Sequence, residues 1–397
     1  MPAPTEEETP QTQPQQTQPS QPSQQSQQSQ GHHIELPAES ETPKHEGEGS
    51  TELKDHKGWD GKARVSKSAT LKNPEALSDP EYSDEDNVVP GEQIEADEDL
   101  LDEEDPETDE IICTHARIRS IPALRLERFK NLQRLCLRQN LIQEIEGLDG
   151  IADTIQELDL YDNLISHVRG LDKLVNLTSL DLSFNKIKHI KHVNHLTNLT
   201  DLFFVANKIS KIENLEGLTK LRNLELGSNR IRELQNLSHL TALEELWVAK
   251  NKITSLNGLA GLNNLRLLSI QSNRIRDLSP LKDIPQLEEL YISHNGIESL
   301  EGISHNTRLR VLEVSSNRIT SLKGIGPLKQ LEEFWASYNQ LGDWTEVERE
   351  LADKENLTTV YFEGNPLQTR QPALYRNKVR LLLPQVRQID ATMTRVD

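Results

Sequence analysis

The sequence predicts an α/β solenoid built from a short repeat. Asparagine recurs 11 times, with one step of 23 residues, then eight steps of 22, then one of 26. The positions are Asn140, Asn163, Asn185, Asn207, Asn229, Asn251, Asn273, Asn295, Asn317, Asn339 and Asn365. Apolar residues stand eight, five and three places before each asparagine, and usually two places after it. This frame, L-x-x-L-x-L-x-x-N-x-I, is typical of a leucine-rich repeat solenoid.

Each repeat is expected to form one short strand, and the strands should stack in parallel about 4.8 Å apart on the concave face. The frame leucines and isoleucines then form a continuous core. The asparagine amide can bond backbone groups that the turn leaves open. A 22-residue unit is too short for a full α-helix on its return path, so 3₁₀ turns or extended chain are expected on the convex side.

Composition sets the expected domain boundaries. Residues 1–110 hold 29 acidic and 7 basic residues, whereas the rest of the chain holds 35 and 37. This leader starts Gln-rich and becomes acidic, and it offers too little apolar surface to offset chain entropy, so it is predicted to be disordered. Residues 111–131 are expected to cap the first repeat, and residues 132–368 to hold eleven repeats.

The last repeat is preceded by a longer insert, Asp343–Glu355. Residues 369–397 are expected to cap the C-terminal end of the core. Their apolar pattern predicts a short amphipathic helix that ends before Pro384. The apolar residues of that pattern are Leu374, Val379, Leu382 and Leu383.

The chain has few features of a secreted or membrane protein. Its two cysteines, Cys113 and Cys136, are expected to be reduced intracellular thiols. The N-terminus has no basic and apolar signal pattern. No apolar run approaches the roughly 18 residues that a membrane helix requires. We therefore expect no membrane partner.

The side chains that leave the strands on the outer side form a column across the repeats, because side chains alternate along a strand. Five of the 16 aromatic residues of the chain stand in this one column. The column reads Cys136, Asp159, Asp181, Phe203, Glu225, Trp247, Ser269, Tyr291, Glu313, Trp335 and Tyr361. The column two places earlier adds acids, among them Glu157, Asp201, Glu245, Glu289 and Glu333.

The opposite charge follows the frame asparagines, as in Lys186, Lys208, Arg230, Lys252, Arg274 and Arg318. Any single outward acid is most simply a solvated residue. A row of exposed aromatic residues instead favours a protein-binding face, because Trp and Tyr dominate interface energetics. The acids disfavour nucleic acid on this face and favour a partner with a basic patch.

Other candidate sites are weaker. His189, His192 and His195 are spaced for a metal site, but no Cys or carboxylate stands in the same frame, so a solvated ridge is the better interpretation. Cys113 and His115 do not form a nucleophile–base pair. The chain lacks phosphate-binding, serine-hydrolase and zinc-protease motifs. We therefore expect no catalytic residue, no metal and no cofactor, and RNA or anionic lipid on the basic ridge is a minor alternative.

Several segments resemble the 22-residue leucine-rich-repeat regulators of type-1 serine/threonine protein phosphatase. They include LCLRQNLI at 135–142, LDLYDN at 158–163, ELGSNRIR at 225–232, HNGIE at 294–298, EFW at 333–335 and LPQVRQIDAT at 383–392. The likeness runs in register from about Ile111 to Asp397. It includes outward residues, which leucine-rich repeats in general do not share.

The resemblance implies a non-catalytic subunit that binds the phosphatase catalytic subunit with its concave face. It also implies a location in nucleus and cytoplasm, a role in the cell cycle and, in some complexes, a further small phosphatase inhibitor. The implied contacts are Asp181, Phe203, Glu225, Trp247, Glu313, Glu333, Trp335 and Tyr361, and the outward column adds Tyr291. Trp247 and Glu313 stand where the family usually has Phe and Asp. The alternative is a scaffold in a cytoskeletal or ribonucleoprotein assembly.

Overall fold

A computed structural model describes residues 100–394, which contain one 14-stranded sheet whose strands follow one another in chain order. Neighbouring strands are parallel from the first to the thirteenth, and the last pair is antiparallel. The strands are β1 Glu110–Ile112, β2 Arg134–Cys136, β3 Glu157–Asp159, β4 Ser179–Asp181, β5 Asp201–Phe203, β6 Asn223–Glu225, β7 Glu245–Trp247, β8 Leu267–Ser269, β9 Glu289–Tyr291, β10 Val311–Glu313, β11 Glu333–Trp335, β12 Thr359–Tyr361, β13 Gln388–Ile389 and β14 Thr392–Met393. The predicted leucine-rich repeat solenoid is confirmed.

The return segments are extended chain, turns and short 3₁₀ helices, as a repeat of this length requires. The 3₁₀ helices are Pro122–Leu124, Leu126–Arg128, Asp149–Ile151, Ser279–Asp283 and Glu301–Ile303. The longer insert before β12 has room for an α-helix, α1 (Trp344–Leu351). Asp343 caps this helix by accepting a hydrogen bond from the Thr345 N–H at 2.8 Å.

Two helices close the C-terminal end of the core, α2 (Pro366–Thr369) and α3 (Pro372–Leu382). The amphipathic helix before Pro384 is thus confirmed, but the expectation that Leu374 faces the core is wrong, because its side chain is 57% exposed. Tyr375 takes the buried position instead. Its hydroxyl donates a hydrogen bond to the Asp390 carboxylate at 2.9 Å, which ties α3 to the turn after β13.

The disorder predicted for the leader falls mostly on residues 1–99, which lie outside the described residues. Residues 100–109 already belong to the folded part, although Ile111 was the expected start. Leu101 is buried in the core, and Asp102 forms an ion pair with Arg128 at 2.7 Å. These contacts fix the end of the leader to the first turn of the solenoid.

A ladder of asparagine side chains connects consecutive repeats. The Asn229 amide donates to the Phe204 carbonyl of the previous repeat at 2.8 Å, and to the Leu226 and Gly227 carbonyls of its own turn at 3.1 Å. Its oxygen accepts from the Ile209 N–H of the previous repeat at 2.9 Å. The same pattern links the repeats from Asn140 to Asn365. The predicted role of the amide is therefore confirmed.

The residue before each ladder asparagine has a left-handed backbone. Ten of these residues are not glycine, and they include Phe184 with φ 56° and Tyr338 with φ 53°. Gly364 holds the equivalent position before Asn365, with φ 74°. None of the ten is β-branched, in keeping with the steric cost of this conformation for β-branched residues. The asparagine hydrogen bonds hold the turn in a shape that its residues would otherwise seldom adopt.

We expect Asn229→Ala to lower the free energy of unfolding by about 3 kcal/mol, because it leaves several buried backbone groups without a partner. Urea denaturation followed by circular dichroism measures the loss. Arg230→Ala, at the exposed neighbouring position, is the matched control and should change stability by less than about 0.5 kcal/mol. Equal effects of the two variants would contradict the structural role of the ladder.

Candidate functional site: an aromatic and acidic sheet face

The sheet presents one side to the core and the other to the outside. In β7, for example, Leu246 is fully buried, whereas Glu245 and Trp247 are partly exposed. We call the outer side, formed by the first and third residues of strands β2 to β12, the sheet face. All the candidate residues lie on it: Asp181, Phe203, Glu225, Trp247, Tyr291, Glu313, Glu333, Trp335 and Tyr361. All are partly exposed except Glu313, which is only 8% exposed.

Large rings alternate with small or acidic side chains along the sheet face. The rings stand on β5, β7, β9 and β11, as Phe203, Trp247, Tyr291 and Trp335, and the strands between them carry Glu225, Ser269 and Glu313. Since adjacent strands are about 4.8 Å apart, rings on alternate strands are separated by roughly twice that distance. Smaller or polar side chains therefore separate the rings from one another. This alternation could have been read from the column, but sequence reasoning missed it.

Three of the rings are held by a carboxylate of their own strand, two residues earlier. The Trp247 and Trp335 indoles donate to Glu245 at 3.1 Å and Glu333 at 2.9 Å, and the Tyr291 hydroxyl donates to Glu289 at 2.8 Å. At the end of the row, the rings of Trp335 and Tyr361 lie 4.9 Å apart between centroids. Each hydrogen bond satisfies the polar atom of its ring and fixes the ring's orientation, which lowers the entropy lost when a partner binds.

From β5 to β12, the carboxylates of the sheet face form no ion pair within residues 100–394. In the row just before the strands, three glutamates pair across the repeats with arginines: Arg222 with Glu244 at 3.8 Å, Arg266 with Glu288 at 2.9 Å and Arg310 with Glu332 at 2.9 Å. By contrast, Glu225, Glu245, Glu289 and Glu333 form no ion pair with any residue in the described range 100–394. The part of the sheet face from β5 to β12 is therefore a source of uncompensated negative charge.

The N-terminal part of the sheet face has a different character. Arg138 pairs with Asp159, lies 3.5 Å from the Asp181 carboxylate and stacks 5.0 Å from the Tyr161 ring centroid. Tyr161 in turn lies 4.7 Å from Phe184. These residues border a groove of about 490 Å³ that extends to Phe203 and Glu225. Sequence reasoning missed Tyr161 and Phe184, because neither belongs to the column of five aromatic residues.

Burial alters the protonation of two carboxyls on the sheet face. It raises the pKa of Asp181, against the lowering effect of hydrogen bonds from Ser183. Burial also raises the pKa of Glu225, against the lowering effect of a hydrogen bond with Asn223, and the negative charges of Asp181 and Glu245 add to the rise. In both cases the ionised form is held in an unfavourable environment. A cation from a partner would relieve that cost.

The remaining candidates form no site. His189 pairs with Glu213 at 3.1 Å, and the His195 ring lies 3.0 Å from the Leu171 carbonyl. In the part of the chain that the structure describes, no cluster of three or more His, Cys, Asp or Glu residues could hold a metal ion. No helix between residues 100 and 394 is both long and apolar enough to cross a membrane. Cys113 and Cys136 are free thiols.

Comparison with known proteins supports the repeat architecture. The family described as "Leucine Rich repeats (2 copies)" matches residues 219–261, 241–283, 263–305 and 285–327. Among solved structures, the chain is similar to an internalin of Listeria monocytogenes, with a TM-score of 0.57, 25% identity and coverage of 72% of this chain and 87% of the other. A leucine-rich repeat protein of Leptospira interrogans gives a TM-score of 0.55 at 27% identity, covering 69% and 74% of the two chains.

Curated relatives confirm the resemblance to phosphatase regulators. Protein phosphatase 1 regulatory subunit SDS22 of Schizosaccharomyces pombe is 63% identical over 54 residues, which is 14% of this chain and 16% of that protein. The protein of the same name from Saccharomyces cerevisiae is 45% identical over 97 residues, 24% and 29% of the two chains. Human protein phosphatase 1 regulatory subunit 7 is 53% identical over 55 residues, 14% of each chain. The aligned segments thus span less than a third of each of these relatives.

We expect Glu225→Gln to leave stability at pH 7 unchanged or higher. The raised pKa means that the folded state binds this proton more tightly than the unfolded state. The ionised group therefore lowers stability above the raised pKa, and this penalty disappears below the unfolded pKa of about 4.3. Urea midpoints at pH 7 and pH 4.5 measure the difference between variant and parent, which should shrink at the lower pH.

Glu313→Gln is the matched control for this prediction. The Glu313 carboxylate accepts from the Ser293 N–H at 3.2 Å and the Ser315 N–H at 3.1 Å. An amide would turn a donor toward one of them, so this variant should lose about 1–3 kcal/mol. A comparable loss of stability in Glu225→Gln would show that the Glu225 carboxylate stabilises the fold, and would contradict its role as a carboxylate available to a partner.

Proposed function

We propose that this leucine-rich repeat solenoid is a non-catalytic regulatory subunit that binds the catalytic subunit of type-1 serine/threonine protein phosphatase through its sheet face. One observation carries the proposal: aromatic rings on alternate strands are oriented by hydrogen bonds and surrounded by carboxylates without cations. The names of the relatives supply the identity of the partner.

The chemistry of the sheet face defines what it would bind. Trp247 and Trp335 offer large ring surfaces whose polar atoms are already satisfied, so the rings are suited to contact apolar parts of a partner. Glu225 gains most from a lysine or arginine side chain, because burial disfavours its charged form and it has no ion pair within residues 100–394. The partner should therefore present a basic surface.

The non-catalytic role rests on the use of the carboxylates. Glu245, Glu289 and Glu333 accept hydrogen bonds from rings, and Glu313 accepts two from backbone N–H groups. These are positioning contacts, so binding is the chemistry this surface supports. Control of phosphatase activity, maturation or location, participation of a further small inhibitor, and residence in nucleus and cytoplasm belong to the same proposal and rest on the resemblance.

The alternative is a scaffold in a cytoskeletal or ribonucleoprotein assembly, and the basic residues after the frame asparagines favour it. Lys208 and Arg230 are exposed on that ridge. A scaffold that binds through the ridge would depend on these residues and not on the rings.

We expect Trp335→Ala to weaken binding of the phosphatase catalytic subunit by about 2 kcal/mol or more, roughly 30-fold in Kd, since tryptophans are frequent hot spots. Titration calorimetry or surface plasmon resonance with purified catalytic subunit measures the change. Trp247→Ala should act in the same direction, and Glu225→Lys should slow association and weaken its salt dependence.

Lys208→Glu with Arg230→Glu is the control, and it should leave phosphatase affinity within about twofold of the parent. The site assignment fails if Trp335→Ala combined with Glu225→Lys binds the catalytic subunit as tightly as the parent. The scaffold alternative is favoured if the ridge variant loses assembly into a cytoskeletal or ribonucleoprotein particle while phosphatase binding is spared.

A further inference from the structure

A second charged surface lies beside the sheet face, on the loops that follow β4 and β5. Five lysines stand within 26 residues there: Lys186, Lys188, Lys191, Lys208 and Lys211. All five are exposed. Among residues 100–394, none of them forms an ion pair. We call this group the lysine patch.

Histidine and arginine side chains extend the lysine patch toward the preceding repeat. A groove of about 350 Å³ lies between the loop after β3 and the loop after β4, and His167, Arg169, Lys188, His189, Lys191 and His192 line it. Two carboxylates reach its edge, where Glu144 pairs with Arg169 at 2.7 Å and Glu213 with His189 at 3.1 Å. Neither carboxylate forms an ion pair with one of the five lysines.

We propose that the acidic segment of this same chain directly before Leu100 docks on the lysine patch. Residues 88–99 contain five carboxylates and no lysine or arginine. The carboxylates are Glu92, Glu95, Asp97, Glu98 and Asp99. The five carboxylates of the segment therefore equal the five lysines of the patch in number, and their charges are opposite.

The anchoring of the segment favours this contact within one molecule. Leu101 is buried in the first turn and Asp102 pairs with Arg128, so the segment starts from a fixed point. From β1 to β5 the sheet advances four strand spacings, about 19 Å. Twelve extended residues reach about 40 Å. A tether this short gives an effective concentration on the order of millimolar, so even weak ion pairing becomes substantially populated.

The charges of the rest of the molecule direct the segment to the lysine patch. From β5 to β12 the sheet face carries uncompensated carboxylates, which repel an acidic segment. The patch follows the C-terminal ends of β4 and β5, whose last residues are Asp181 and Phe203. A docked segment would therefore border the N-terminal part of the sheet face. This contact does not depend on the phosphatase proposal and is tested without any partner.

Carbodiimide cross-linking of the full chain, with peptides identified by mass spectrometry, tests the contact. We expect zero-length cross-links between residues 92–99 and the five lysines, with a yield per chain that is unchanged by tenfold dilution and lost in 0.5 M salt. In Lys186→Glu with Lys188→Glu and Lys191→Glu, links to the two retained lysines, Lys208 and Lys211, should fall about tenfold.

The matched control reverses the same number of charges on the same ridge, as Lys252→Glu with Arg274→Glu and Arg318→Glu. It should leave the links to Lys208 and Lys211 within about twofold. Charge reversal on both sides should restore the cross-links. When the five leader carboxylates are replaced by lysine in the triple variant, the new leader lysines should link to the carboxylates introduced at positions 186, 188 and 191. Links that spread evenly over the lysines of the chain, that fall on dilution, or that persist in the triple variant would overturn the proposal.

Polyanion binding gives a second readout that does not depend on cross-linking. Neutralising the leader as Glu92→Gln, Glu95→Gln, Asp97→Asn, Glu98→Gln and Asp99→Asn should increase binding of a single-stranded RNA oligonucleotide to the lysine patch several-fold. If the RNA, or a phosphatidylserine vesicle, binds the parent and the neutralised chain equally through the patch lysines, the patch is an external polyanion site and the proposal is wrong.

Discussion

The asparagine ladder sets the position of every side chain on the surface. Each amide binds carbonyls in two successive repeats and accepts an N–H from the earlier one, so a repeat cannot slip relative to its neighbour without breaking buried hydrogen bonds. The register of the strands follows from this constraint. Because Leu202, Leu224 and Leu246 pair directly across the sheet, residues Phe203, Glu225 and Trp247 fall into one outward column. A surface pattern that spans nine repeats is therefore as well defined as the core.

The same regularity allows charge to be sorted by column. Side chains at the same position of neighbouring repeats are close enough to interact. Where a basic residue is followed by an acidic one, the two charges neutralise each other, as in the pairs Arg266–Glu288 and Arg310–Glu332. Exposed pairs of this kind contribute little to stability. Their effect is to remove net charge from one row. Within residues 100–394, the acids of the sheet face from β5 to β12 lack such partners, and so do the lysines after Asn185 and Asn207. Two fields of opposite sign therefore persist on one molecule.

The sequence was sufficient to predict these columns because the frame fixes which residue of each strand points outward. It was not sufficient where the outcome depends on local geometry. Phe184 is exposed because it occupies the left-handed turn before Asn185, a position that the frame does not mark as a binding column. Helix α1 depends on the length of one insert and on the Asp343 cap. Leu374 and Tyr375 differ in burial because the Asp390 carboxylate selects the phenol, a contact between residues of two different elements.

Two glutamates of one column show why the sheet face is better explained by binding than by folding. Glu313 is buried, but two backbone N–H groups donate to its carboxylate, so the fold itself uses the charge. Glu225 is partly exposed and has a raised pKa caused by burial and by neighbouring acids. Its carboxylate has a hydrogen bond with the Asn223 side chain, but burial and the neighbouring acids still disfavour its charged form. A cation beside Glu225 would favour its ionised form, and a basic partner on the sheet face would provide that cation.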